Sequence, residues 1–152
     1  MKLAEALVQR ADLQKRVEQL RKRLKRSAQV QEGEQPPENP EELQAELERL
    51  LDEFASLIGR INRTNLVTRL SDGTTLTDAL ARRDALTLHY SILDDLVDAA
   101  TVATDRYSRA EIKSYPTVQV SAVRRRMDTL AQQRRELDTA IQAMNWSAEL
   151  SD

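Results

Sequence analysis

Three arginines stand where a helical apolar stripe would place a leucine. Arg10 precedes Leu13, Arg83 precedes Leu86 and Arg134 precedes Leu137, each at a spacing of three that puts both side chains on one helix face. A guanidinium offers five N–H donors and no acceptor, so inside a bundle it must meet carboxylates, amides or water. Arg10 and Arg83 fall at about the same distance from the starts of two parallel helices. On the antiparallel helices that level falls near Asn62 and Asp138. The pattern predicts a polar layer of Arg10, Asn62, Asn65, Arg83, Glu136 and Asp138, either a structural layer or a ligand site. The competing reading is that a slight rotation lets each arginine run its aliphatic stem along the seam and its head into water.

Other reactive chemistry is sparse. The one histidine, His89, has Leu86 three residues before it, whereas a di-iron carboxylate bundle needs two Glu-x-x-His motifs and two further glutamates. No metal and no cofactor are expected. No nucleophile motif accompanies His89 as a partner for a general base, and there is no glycine-rich phosphate loop. The absence of cysteine removes disulfide and thiolate chemistry. Asn62-Arg63-Thr64 matches a glycosylation sequon, which matters only in a secreted chain. The expectation is a protein that is not an enzyme.

The charges are segregated. Residues 1–28 carry nine Lys/Arg against three Asp/Glu, a net of +6, and residues 29–58 carry one Arg against nine acids, a net of −8. The run Arg21-Lys22-Arg23-Leu24-Lys25-Arg26 could form a phosphate-binding strip, resembling the basic helical hairpin of a seryl-tRNA synthetase. The reading favoured by charge complementarity is intramolecular. An antiparallel first hairpin brings the strip beside Glu41, Glu42, Glu46 and Glu48, and a parallel third helix brings Asp94, Asp95 and Asp98 level with it. A net charge of −2 over the whole chain argues against a globally basic nucleic-acid binder.

Four long helices must carry these groups, at about 2–28, 40–70, 75–103 and 120–146. The first has Leu3, Ala6, Leu13, Val17, Leu20 and Leu24 at alternating spacings of three and four, a seam for a partner helix. Gly33, Pro36 and Pro37 mark a loop. Asn39 as N-cap, Pro40 at the first position and Glu41 and Glu42 at the positive dipole end open the second helix. Its seam is Leu43, Leu47, Leu50, Phe54, Leu57 and Ile61, resuming at Leu66, Val67 and Leu70 before Ser71-Asp72-Gly73 turns the chain. Thr75 with Asp78 resembles a capping box. Leu76, Ala79, Leu86, Leu93, Val97 and Ala100 form the third seam, and Val120, Val123, Met127, Leu130, Leu137, Ile141 and Met144 the fourth. The stretch near 104–120 reads as irregular or as a short β-hairpin. The fold class is all-α, in one domain over 1–152: four antiparallel helices forming a bundle or two coiled-coil hairpins.

Only Phe54, Tyr90, Tyr107, Tyr115 and Trp146 are aromatic, so thin aliphatic seams supply the core and favour a homo-oligomer. No apolar run approaches the roughly 18 residues of a membrane span. The opening residues lack the features of an export signal, so membrane insertion is not expected and the cytoplasm is the expected compartment.

The stretches Lys2-Leu3-Ala4-Glu5-Ala6-Leu7 with Arg10-Ala11-Asp12-Leu13-Gln14, then Ile61-Asn62-Arg63-Thr64-Asn65, then Leu76-Thr77-Asp78-Ala79-Leu80-Ala81-Arg82-Arg83-Asp84, resemble the septicolysin-like family of bacterial proteins. Arg106-Tyr107-Ser108-Arg109, Glu111-Ile112-Lys113 and Asn145-Trp146 extend the likeness along the chain. The resemblance implies a cytolysin, with no site residue to carry over. The residues themselves point first to a non-enzymatic structural or interaction protein that self-associates or binds an unknown protein partner. A membrane-active cytolysin and an RNA-binding hairpin are the alternatives.

Overall fold

The computed structural model describes residues 1–102 and 113–152. Its helices are α1 (Leu3–Arg26), α2 (Pro40–Val67), α3 (Leu76–Thr101) and α4 (Val120–Ser147), and the described residues form no sheet. The all-α expectation holds. The short β-hairpin considered near 104–120 falls largely on 103–112, outside the described residues, and 113–119 are irregular.

The helices start where local chemistry satisfies their first N–H groups. Asn39 Oδ1 accepts from the Glu41 amide at 2.9 Å, with Pro40 at the first helical position. Thr75 Oγ1 accepts from the Asp78 amide at 3.1 Å, and its hydroxyl donates to Asp78 Oδ2 at 2.7 Å. The helix α2 ends at Val67 rather than running on to Leu70. Thr68 leaves the helix in an extended conformation while its amide still donates to Thr64 O. Leu70 then belongs to a turn in which its amide donates to Thr74 O at 2.8 Å. Gly73 has φ +86° there, a value that side chains with a Cβ resist. Asp72 Oδ1 accepts from the Thr74 amide at 2.9 Å, a bond that holds the Asp72 carboxyl below its ordinary pKa. Leu66 and Val67 lie in solvent, so the seam of α2 does not resume there.

The chain divides into two compact units, Met1–Arg69 with Gln142–Asp152, and Leu70–Ile141. In the first, α1 and α2 form an antiparallel hairpin that buries Leu3, Ala6, Leu13 and Leu20 with Leu43, Leu50, Leu57 and Ile61. Val17, Leu24, Leu47 and Phe54 on the same seams are half-buried.

The segment after α4 joins this unit through its backbone. The Leu3 amide donates to Ala148 O at 3.0 Å and the Leu150 amide to Met1 O at 2.9 Å. Thr64, 1% exposed, uses one hydroxyl twice: it donates to Arg60 O at 2.8 Å and accepts from the Ser151 amide at 2.9 Å. Arg60 and Arg63 donate through Nε to Ser151 O and Asp152 O. Thr64→Val keeps the shape and deletes both bonds. We expect a loss of about 1–2 kcal/mol, the usual cost of stranding a half-buried amide, seen as an earlier urea midpoint. An unchanged midpoint would mean that the tail adds nothing to stability.

In the second unit, Arg83 of α3 meets Asp138 of α4 and the later Tyr90 shares a cleft with the earlier Leu130, so the two helices run antiparallel. Leu76, Ala79, Val97, Met127, Leu130 and Ile141 are buried, and Leu86, Leu93 and Leu137 half-buried.

Candidate functional site

The six residues of the expected polar layer divide between the units. In the second, Arg83 Nη1 meets Asp138 Oδ1 at 3.3 Å, joining α3 to α4, and Arg83 Nη2 lies 3.5 Å from Asp84 Oδ1. The Arg83 side chain keeps 30% of its surface and that of Asp138 47%, so this is a half-exposed pair and not a desolvated one. Glu136 is exposed and accepts from Gln132 Nε2 at 2.9 Å. In the first unit, Arg10 and Asn65 are half-buried and Asn62 is exposed. Among the described residues, no ion pair involves Arg10.

Arg134, the third seam arginine, behaves as the snorkelling reading describes: it is exposed although Leu130 four residues before it is 1% exposed. Around its head the surface of the second unit is hollowed on two sides. A cleft of about 460 Å³ is lined by Tyr90, Leu130, Ala131, Arg134, Arg135 and Asp138. A second, of about 510 Å³, runs past Arg83, Thr87, Ser91 and Arg134. Among the described residues no ion pair involves Arg134 or Arg135. Sequence reasoning placed Arg134 on the seam but not Tyr90 or Arg135 beside it. Arg135 is its chain neighbour, and Tyr90 lies within a turn of Leu86 on the partner helix, so the signal was available.

A larger feature escaped the pattern. On α3, Leu88 is 63% exposed, Ile92 54% and Leu96 37%. With the exposed Ala81, Ala85 and Ala99 they recur at spacings of four, three, four, four and three, a coiled-coil seam. At 100° per residue this stripe is centred about 130° around the helix from the packed stripe of Ala79, Leu86, Leu93 and Val97. The helix α3 is therefore apolar on two faces, and one of them meets solvent.

The basic strip is neutralised in part, by Glu46 of the acids expected and by Glu38, which was not among them. Arg23 Nε and Nη2 bond both carboxylate oxygens of Glu38, at 2.5–3.2 Å, and Nη1 lies 3.7 Å from Glu46. Arg21 pairs with Glu18 of its own helix at 3.5 Å. Glu41, Glu42, Glu48, Asp94, Asp95 and Asp98 make no ion pair among the described residues. Glu38 was overlooked because it belongs to the loop before α2, and only the folded loop brings it back to α1.

The hydrogen bond from Arg23 holds the Glu38 carboxyl below its ordinary pKa. A depressed carboxyl contributes stability that is present above its unfolded value, about 4.3, and is lost as pH falls through the lower folded value. Glu38→Gln should therefore flatten the acid limb of a stability–pH profile below about pH 4.3 and leave its neutral part parallel to the parent. An acid limb of unchanged slope would count against the pair.

Among the described residues there is no cluster of His, Asp and Glu able to hold a metal ion, and no helix is long and apolar enough to cross a membrane. A family model described as a family of unknown function (DUF6847) matches residues 10–150. A crystal structure of a functionally unknown conserved protein from Corynebacterium diphtheriae superposes with a TM-score of 0.92 at 48% identity, over 99% of each chain. No curated protein matches the chain. These findings overturn the septicolysin-like resemblance, and with it the cytolysin reading. Short matches in a Leu-, Ala- and Arg-rich helical chain follow from shared composition as readily as from kinship.

Proposed function

The chain belongs to this family of unknown function (DUF6847), and from that premise we propose a non-enzymatic interaction protein that self-associates through the exposed face of α3. One observation carries the reading: the Leu88, Ile92, Leu96 stripe, which has the spacing of a helix seam and is exposed to solvent. A contiguous apolar stripe of a few hundred Å² matches the largest surface patch of a typical protein, which is often functional. A second copy supplies a matching stripe across a two-fold axis, where each residue meets its counterpart's neighbours in the same register. From Ala81 to Ala99 the stripe runs about 27 Å, and with a helix about 10 Å across it presents roughly 300 Å² of face. A standard interface buries about 800 Å² per partner, so association is expected to be weak and in the micromolar range.

The rim of the stripe adds a signature. Asp84 and Asp95 flank it, both exposed, and an antiparallel two-fold pairing brings the acids of the two copies to the same side. Screening relieves that repulsion. Light scattering across a dilution series should show mass rising from one chain toward two over the micromolar range, and rising further with added salt. The mass of a single chain at every concentration and salt would remove the proposal. The cytoplasmic placement and the absence of an enzymatic role belong to the same proposal.

A further inference from the structure

We propose that the cleft beside Arg134 in the second unit binds an amphiphilic carboxylate, a small molecule with one carboxylate head and an apolar body. The inference is independent of self-association, since it stands on different residues.

Arg134 lies four residues after Leu130, three before Leu137 and seven before Ile141, in the middle of the apolar stripe of α4. A leucine there would continue the seam. The arginine interrupts it, and a cavity of about 460 Å³ lies beside it, within the size range of small-molecule sites. Its lining joins Leu130, Ala131 and Tyr90 to Arg134, Arg135 and Asp138. Arg83 already engages Asp138, the carboxylate lining the cleft, whereas Arg134 and Arg135 make no ion pair among the described residues. Two guanidiniums that make no ion pair among the described residues, beside aliphatic side chains and a phenol, match a ligand with two unlike ends. A planar guanidinium bonds a carboxylate through two parallel N–H groups. The apolar part of the lining gains nothing from a bare inorganic anion and favours a hydrocarbon body.

The test is titration calorimetry of the full chain with octanoate, with inorganic phosphate and octylamine as comparisons. Octanoate should bind saturably at one site per chain, with octylamine and phosphate at least tenfold weaker. Arg134→Leu restores the seam, so it should melt no lower than the parent while weakening octanoate at least tenfold. Arg135→Gln, an exposed change in the same lining, should weaken it less and leave melting unchanged. No saturable octanoate binding would overturn the proposal. So would octanoate binding undiminished in a folded Arg134→Leu variant, or phosphate binding as tightly as octanoate.

Discussion

Replacing Leu88 and Ile92 together by lysine is expected to hold the protein at the mass of one chain at every concentration, without lowering its melting temperature in samples too dilute for the parent to associate. Both side chains are more than half exposed, so within one chain their removal costs little packing. The new ammonium groups find acids on their own helix. Lys at 88 stands four residues after Asp84, and Lys at 92 three before Asp95, and each such pair adds about 0.2–0.5 kcal/mol to a helix. In a two-fold pairing centred between 88 and 92, the same groups face one another across a closed seam. Desolvating charges there costs several kcal/mol per ion even with an acid nearby, more than a weak micromolar interface of about 8 kcal/mol could absorb for four ions. Dilution light scattering with the parent alongside decides it. A variant that still reaches the mass of two chains would place any interface elsewhere.

What the sequence reveals and what it hides follow from the range of the forces involved. The N-termini of α2 and α3 were legible because Asn39 and Thr75 cap their own helices through bonds to residues two or three positions on. The seams of α1 and α2 were legible because each of these helices has one apolar face. The α3 helix defeats the same method. Its leucines occupy two separate faces, and a periodicity search that finds Ala79, Leu86, Leu93 and Val97 treats Leu88, Ile92 and Leu96 as background. The tail of 148–152 left no signal, since it is held by backbone groups and by Arg60, Arg63 and Thr64 far away in sequence. Of the polar layer, the link between Arg83 and Asp138 was readable from helix level alone. The exposure of Arg134 was not, because choosing between burial and snorkelling depends on a rotation of the helix that spacing does not fix.

A pair of leucine truncations separates the two kinds of apolar stripe by a large margin. Leu13 is 1% exposed, at the centre of the α1–α2 seam, and Leu88 is 63% exposed. Leu13→Ala removes buried methyl and methylene groups and leaves a cavity that a rigid helix pair closes only in part, so the expected loss is about 2.7–5 kcal/mol. Leu88→Ala removes surface that was already wet. At concentrations too low for association, its effect should stay within about 0.5 kcal/mol, since alanine also has the higher helix propensity. Urea unfolding of both variants at sub-micromolar concentration, followed by circular dichroism, measures the difference. The Leu88→Ala effect should then grow as concentration rises, because a dimer adds linkage stability to the parent that the variant loses. The Leu13→Ala effect should be the same at every concentration. A Leu88→Ala loss as large as that of Leu13→Ala in the dilute sample would mean that Leu88 is packed within its own chain, and the exposed stripe of α3 would then be part of the core.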